Sequence, residues 1–345
     1  MSQYIKLEVS HNRAIELDLT CNHIIIDKSQ IGETEVEKLD WNILAAGRKN
    51  KFIHKMLIEL ANSGFYLVDH DKKTGRSIYH KLDDYDNFSS FFDKNRNVHH
   101  YNGVYYSLET PVCCSIKSNT KPRLFVLFSS IADFPLNADV ARRTFFLNWP
   151  KVANFLPSNT YILRIADLGG IVSSFYSNNN YCTDFEDRIQ NLLKYIISKI
   201  GVDKTSVLLY GVSKGGTGAL LHSLIGKYSC LAVDPIVSDE FYLNRNDQHY
   251  VKNVFPETKD QKFQRCLLNN DYAPYINIIT SEKSEQFKYI SSLLKDRNDI
   301  LIHQMNHPNI KHHPDVGKWS LCLATTLINS FFYKLHDNGA VKTIY

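Results

Sequence analysis

The sequence predicts an α/β protein whose main sheet is mostly parallel, with helices on both faces, and which carries a smaller N-terminal α+β region. From about Arg123 onward, short apolar segments alternate with segments of helical periodicity, the pattern of strands joined by crossover helices. The earlier part of the chain lacks this alternation. Residues 1–105 are therefore expected to form an extension packed on a main domain of residues 106–345.

The N-terminal region is predicted to mix strands and helices. Lys6–Ile26 is rich in β-forming residues, with a strand at His23–Asp27, and Glu33–Asn62 has helical periodicity broken near Gly47. Val98–Ser115 is expected to supply one or two hairpin strands that lead into the main sheet. No linker rich in glycine or proline follows, which is why the region is expected to pack on the main domain.

The main domain is predicted to contain apolar strands that are buried on both faces, separated by amphipathic helices. Strands are expected at Arg123–Ser130, Asn159–Ala166, Val207–Tyr210, Ser229–Val233, Tyr275–Thr280 and Asp299–His303. Helices are expected at Asp184–Ile200, directly after Ser213, and at Val316–Leu335.

One of these strands ends in Gly211-Val212-Ser213-Lys214-Gly215, the pattern Gly-x-Ser-x-Gly, and runs into a helix. This is how a nucleophilic serine is presented on an α/β-hydrolase sheet, with helix N–H groups close to the developing negative charge. A plain glycine-rich turn with a surface serine is the alternative interpretation. A phosphate-binding loop does not fit, because Lys214 precedes the glycine pair instead of following it. Ser213 is therefore the predicted nucleophile of an acyl transfer or ester hydrolysis.

A serine nucleophile needs a histidine base, which in this class follows the last strand. The loop before the final helix contains His307, His312 and His313, and the last two are best placed. The four histidines between His303 and His313 also raise the possibility of metal binding, but no HExxH pattern is present. We therefore expect no metal site, and His313 or its neighbour His312 as the base.

The acid partner is less clear from the sequence. It is expected after the strand that ends at Thr280, where the usual position holds Ser284 instead of an aspartate. Glu285 and Glu282 are the candidates in that segment, and Asp234 at the end of the preceding strand is a third. Each of these has an alternative interpretation as a solvated loop charge.

The oxyanion that forms during acyl transfer needs two backbone N–H donors. The first is expected from Lys214, the residue after the nucleophile, and the second from Ser130 or Ile131, after the strand that ends at Phe128-Ser129. The Lys214 side chain is expected either to attract an anionic donor or polymer, or to be solvated at the helix start.

Composition excludes some classes of function. The formal charge of +4 gives no case for nucleic acid, and no apolar run is long enough to span a bilayer. The seven cysteines are odd in number and form no CxxC pair, which is typical of reduced thiols in a cytoplasmic protein. We expect a cytoplasmic location, with any association with the inner membrane mediated by partner proteins.

Ser213-Lys214-Gly215-Gly216, the upstream Phe128-Ser129-Ser130 and the histidine loop resemble α/β-hydrolase-type capsular polysaccharide O-acetyltransferases of bacteria. The length, the N-terminal extension and the segment Val233-Asp234-Pro235-Ile236-Val237 are similar to the XcbB/CpsF-type capsular polysaccharide biosynthesis proteins. The resemblance covers about residues 120–335. It implies work on a capsule polymer, with acetyl-CoA as co-substrate if an acetyl group is transferred and with no tightly bound cofactor.

The sequence thus predicts a serine acyltransferase or esterase of bacterial capsule biosynthesis. Its partners would be a polysaccharide or oligosaccharide acceptor and other capsule biosynthesis proteins. Two alternatives stay open: a non-catalytic hydrolase-fold subunit of a capsule assembly complex, which the unclear acid favours, and a general carboxylesterase.

Overall fold

The structure is a computed structural model that describes residues 4–10, 13–31, 43–71, 73–92, 97–111, 121–132, 138–245, 247, 249–268 and 275–334. Parts of four expected elements lie outside these residues: residues 11–12 of the β-rich segment Lys6–Ile26, the start of the helical segment from Glu33, the end of the hairpin region at Ser115, and Leu335. Cys113 and Cys114 also lie outside them.

The N-terminal region contains two small antiparallel sheets with helices between their strands. The strands are β1 (Tyr4–Ser10), β2 (Arg13–Asp18), β3 (His23–Asp27), β4 (Phe65–Asp71) and β5 (Arg76–Lys81); β1 pairs with β2, and the second sheet has the order β3-β5-β4. The helices are α1 (Lys28–Ile31), α2 (Ile43–Gly47), α3 (Lys51–Asn62) and α4 (Tyr85–Phe88). The hairpin of β4 and β5 is an addition to the elements expected from the sequence.

Helix α3 illustrates why these residues are helical. The side chain of Asn50 caps its start by accepting the N–H groups of Phe52 and Ile53, which have no acceptor within the helix. The break predicted near Gly47 is present, since α2 ends at that residue and α3 begins at Lys51.

The main sheet has eight strands in the order β13-β12-β11-β10-β8-β9-β7-β6. The strands are β6 (His99–Tyr101), β7 (Val104–Glu109), β8 (Arg123–Phe128), β9 (Thr160–Ile165), β10 (Val207–Val212), β11 (Ser229–Val233), β12 (Ile276–Thr280) and β13 (Ile300–Gln304). In this order, neighbouring strands from β13 to β9 are parallel, and β8 is one of them. The β6–β7 and β7–β9 pairs are antiparallel. The sheet begins at His99, so its first two strands straddle the domain boundary expected at residue 105.

Helices cover both faces of this sheet. They are α5 (Val140–Thr144), α6 (Phe185–Ile200), α7 (Lys214–Gly226), α8 (Glu240–Leu243), α9 (Lys259–Leu268), α10 (Phe287–Leu294), α11 (His313–Trp319) and α12 (Leu321–Phe332). Short 3₁₀ turns lie at Ser89–Phe91, Val152–Phe155, Lys204–Ser206 and Lys252–Val254. The single closing helix expected at Val316–Leu335 is instead two helices, which meet at Ser320.

Alternation along β8 shows how the layers form. Leu124 and Val126 belong to the core cluster beneath α6 and α7, whereas Phe125 and Leu127 belong to the cluster beneath α12. Successive strand residues point to opposite faces, so a strand covered on both sides must be apolar throughout. All four of these side chains are fully buried.

The N-terminal region is tied to segments that follow β9 and β11. The hydroxyl of Tyr66 donates to the carbonyl of Val172, and the amide of Asn62 donates to the carbonyl of Asn253 over 3.1 Å. Arg48 pairs with Asp247 over 3.1 Å.

Two further observations concern the chain as a whole. In the described part of the molecule, no helix is long and apolar enough to cross a membrane. The described cysteines, Cys21, Cys182, Cys230, Cys266 and Cys322, are free thiols.

Candidate active site

The turn between β10 and α7 holds Ser213 in a backbone conformation that is rare for any residue except glycine. Its φ is 56° and its ψ is −120°. Such a conformation stores strain and persists only where the surroundings impose it. Here the Ser213 N–H donates to the carbonyl of Val233 over 2.9 Å, and the Ser213 carbonyl accepts the N–H of Thr217 over 2.9 Å. The turn therefore fixes the serine above the start of α7.

The glycines on either side of Ser213 are required by close approach. A Cβ at Gly211 would lie 2.0 Å from the carbonyl oxygen of Gly215, and one at Gly215 would lie 2.2 Å from that of Phe128. Both obstacles are backbone atoms, which cannot move aside. The Gly-x-Ser-x-Gly pattern thus lets α7 pack directly against the ends of β8 and β10.

The serine hydroxyl is hydrogen-bonded to a histidine at the start of α11. The Oγ of Ser213 lies 2.6 Å from Nε2 of His313, the first residue of that helix. The imidazole is mostly buried, whereas Ser213 is partly exposed to solvent. The sequence placed His313 and His312 side by side as candidates, and the structure brings His313 to the serine.

The other ring nitrogen of His313 contacts Asp234, the residue that directly follows β11. Its Nδ1 lies 2.7 Å from Oδ2 of the Asp234 carboxylate, which is almost completely buried. A carboxylate can only accept hydrogen bonds, so Nδ1 carries the ring proton and Nε2 is left to accept from the serine. The three side chains form one continuous chain of hydrogen bonds.

The acid at the imidazole is therefore Asp234, and neither of the two glutamates favoured from the sequence. Glu285 accepts the backbone N–H of His313 through Oε2 over 2.8 Å, so it contacts the main chain of the histidine and not its ring. Glu282 is exposed on the same loop. The physical reason is the parallel pairing of β10 with β11, which carries the residue after β11 to the same edge of the sheet as Ser213.

The other loop histidines have separate contacts. The exposed ring of His312 lies 3.1 Å from the carboxylate of Asp315, and His307 stacks on Trp319 with ring centres 4.3 Å apart. His303 bonds to the amide oxygen of Asn277 over 2.6 Å. Among the described residues, no three His, Cys, Asp or Glu side chains are grouped as metal ligands.

The two predicted oxyanion donors differ in their surroundings. The N–H of Lys214 belongs to the first turn of α7, where backbone donors have no acceptor within the helix. The N–H of Ser130 already donates to Oδ1 of Asn148 over 2.8 Å, and Nδ2 of Asn148 donates to the Ser130 hydroxyl over 2.7 Å. Asn148 thus holds the loop after β8 through two hydrogen bonds to Ser130. No pattern in the local sequence indicated a role for this residue.

The Lys214 side chain is neither solvated nor directed at a ligand, contrary to both expectations. It is buried, and its Nζ lies 3.0 Å from Oδ2 of Asp167, which is also buried. Burial lowers the pKa of Lys214, and the Asp167 carboxylate opposes this shift. Asp167 in turn accepts the N–H groups of Phe175 and Tyr176, each over 3.0 Å. The buried ion pair therefore anchors Lys214, the residue that directly follows Ser213.

No protein-family model matches this chain, and no curated protein sequence matches it. Solved structures do resemble it. The capsule O-acetyltransferase of Neisseria meningitidis serogroup A aligns with 14% identity and a TM-score of 0.49, over 69% of this chain and 95% of that one. The fluorophosphonate-binding serine hydrolase F of Staphylococcus aureus aligns with 13% identity and a TM-score of 0.46, over 67% and 96%. A ferulic acid esterase aligns with 12% identity and a TM-score of 0.46, over 68% and 97%.

The protein's own topology identifies the fold. The turn that carries Ser213 follows a central strand of a mostly parallel sheet. Helices cover both faces of the sheet, and the histidine loop follows its last strand. The chain therefore has the α/β-hydrolase fold.

Proposed function

We propose that this protein is a serine-dependent acyltransferase or esterase that acts in bacterial capsular polysaccharide biosynthesis. The observation that carries the chemical part of the proposal is the hydrogen-bond chain from Ser213 through His313 to Asp234. In this arrangement Ser213 is the nucleophile, His313 the general base and Asp234 the orienting acid. The capsule assignment is supported by the sequence resemblance.

The reaction would run in two half-reactions. Oγ of Ser213 bonds to the acyl carbon of the donor while its proton passes to Nε2 of His313, and the carbonyl oxygen takes up the negative charge. The intermediate then collapses, the leaving group departs, and His313 returns the proton to it. An acceptor hydroxyl next attacks the acyl-serine with His313 again as base, which frees the serine. The Lys214 N–H would hold the oxyanion in both halves.

Acetyl-CoA is the proposed donor and a saccharide hydroxyl the proposed acceptor. With this pair the first leaving group is a thiolate, and the second half-reaction forms an O-acetyl ester on the polymer. Water in place of the saccharide would make the protein an esterase. Acetyl-CoA turnover that rises when capsule oligosaccharide is added supports the transferase, and turnover unaffected by saccharide supports an esterase.

The non-catalytic alternative rests on the unclear acid, and the contact between Asp234 and His313 supports the catalytic proposal instead. Labelling with a fluorophosphonate probe distinguishes the two, because only an activated serine reacts. We expect the protein to take up one probe molecule and Ser213→Ala none, measured by intact mass. Ser90→Ala, at an exposed serine of the N-terminal region, is the matched control and should label fully. An unlabelled wild-type protein would contradict the proposal.

A further inference from the structure

The Asp234 carboxylate is held by two hydroxyl groups in addition to His313. Thr280 donates to Oδ1 over 2.6 Å, and Ser284 donates to Oδ2 over 2.5 Å. Both side chains are buried. The Ser284 bond goes to the same oxygen atom that accepts from Nδ1 of His313.

The chain places both hydroxyls by parallel pairing and a tight turn. Val233 pairs with Ile279 in the register of β11 and β12, so the next residues, Asp234 and Thr280, are neighbours across the strand ends. A turn then follows, closed by the Ser284 N–H donating to the carbonyl of Ser281 over 2.9 Å. This turn carries the Ser284 side chain back over Asp234.

The direction of the Ser284 hydrogen bond follows from its second contact. Its Oγ accepts the backbone N–H of Gln286 over 3.1 Å. A hydroxyl has one proton to give, and an ionised carboxylate offers only acceptors. The proton of Ser284 is therefore directed at Asp234, and the turn holds it there.

We propose that Ser284 is a positioning residue that holds the Asp234 carboxylate in line with His313 and thereby sets the strength of the hydrogen bond between them. This inference deepens the proposed function and rests on it for its catalytic part. By donating to Oδ2, Ser284 draws charge away from the oxygen that His313 contacts, and it keeps that oxygen in line with Nδ1. Thr280 fixes the other carboxylate oxygen and so prevents rotation.

The proposal predicts an effect on His313 that does not depend on turnover. In Ser284→Ala the carboxylate keeps more charge on Oδ2 and attracts the imidazole proton more strongly. The NMR signal of the Nδ1 proton of His313 should therefore move downfield, the direction of a stronger hydrogen bond to Asp234. At the same time kcat should fall about tenfold with KM unchanged, because a hydrogen bond to a charged group is lost.

Ser281→Ala is the matched control, since Ser281 is a buried serine of the same turn whose Oγ accepts the N–H of Lys283 over 3.4 Å. It should leave the His313 Nδ1 proton signal unchanged. A signal in Ser284→Ala that matches the wild type and Ser281→Ala overturns the proposal. The signal can be read even if the protein fails to react with fluorophosphonate, so failure of the proposed function and failure of this inference are distinguishable.

A second test moves the acid. Because Ser284 and His313 share one oxygen of Asp234, a carboxylate at position 284 should reach the imidazole. Asp234→Asn combined with Ser284→Asp should regain at least about tenfold of the activity that Asp234→Asn loses, since the orienting charge is restored. Asp234→Asn combined with Ser284→Asn has the same size without the charge and should regain nothing. Equal rates for the two folded double variants, checked by circular dichroism, overturn the placement of Ser284.

Discussion

Asp234 and His313 stand 79 positions apart in the chain, yet Oδ2 of one lies 2.7 Å from Nδ1 of the other. The contact forms where the end of β11 meets the start of α11. It leaves Nε2 of His313 as the acceptor for Ser213, so both ring nitrogens of the histidine have a partner.

Asp234→Asn is expected to lower kcat by about 10³- to 10⁴-fold, because the amide favours the wrong tautomer of the base. Glu285→Gln should cost far less, since a glutamine still offers an oxygen to the His313 N–H. Glu282→Gln, at an exposed position, should have no effect. Rates with p-nitrophenyl acetate test all three, and a larger loss in either glutamate variant than in Asp234→Asn would contradict the assignment.

Mutation of the two adjacent histidines, His312 and His313, should have very different effects on activity. His313→Gln is expected to abolish turnover to within the residual activity of a damaged triad, a loss of at least about 10⁴-fold. His312→Gln should retain nearly full activity, because its exposed ring contacts Asp315 and not Ser213. The same esterase assay, together with fluorophosphonate labelling, measures both. Full activity in His313→Gln would show that another residue is the base.

The buried pair of Lys214 and Asp167 is expected to matter for stability. Lys214→Met leaves the Asp167 carboxylate buried without its counter-charge, which should lower the free energy of unfolding by about 3 kcal/mol. Urea denaturation followed by circular dichroism gives this value. Lys288→Met, which removes the exposed partner of Glu240, is the control and should change stability much less. Equal losses in the two variants would contradict the role assigned to burial.

The buried side chain of His222 should make the free energy of unfolding depend on pH. Its Nδ1 accepts from the Gln190 amide and its Nε2 donates to the Tyr176 carbonyl, so the folded ring is neutral. Burial lowers the pKa of His222 to about 4. The unfolded chain, with an ordinary histidine pKa near 6.5, therefore binds an extra proton below that pH.

The stability associated with His222 is complete above pH ~6.5 and is lost as the pH falls towards ~4, by about 3 kcal/mol in total. Urea unfolding between these pH values measures the slope. His222→Gln keeps an acceptor and a donor but does not titrate, so the difference between wild type and variant should grow smaller as the pH falls. A constant difference would contradict the buried neutral ring.

The local sequence predicted most secondary-structure elements and the turn at Ser213, because both depend on residues that are neighbours in the chain. The strand beneath Ser213, the close-packed glycines and the break near Gly47 are set by side-chain periodicity and by conformations that few residues adopt. The hairpin of β4 and β5 and the break at Ser320 were not anticipated, since each depends on what the segment packs against.

The sequence by itself determined the fold class, the position of Ser213 and the loop from which its histidine comes. Only the tertiary structure decided which acid meets the imidazole, because parallel pairing sets the end of β11 beside the elbow across a long stretch of chain. The tertiary structure also decided that the Lys214 side chain is buried, where it forms an ion pair with Asp167. Such choices depend on distances between segments far apart in sequence, which no local pattern encodes.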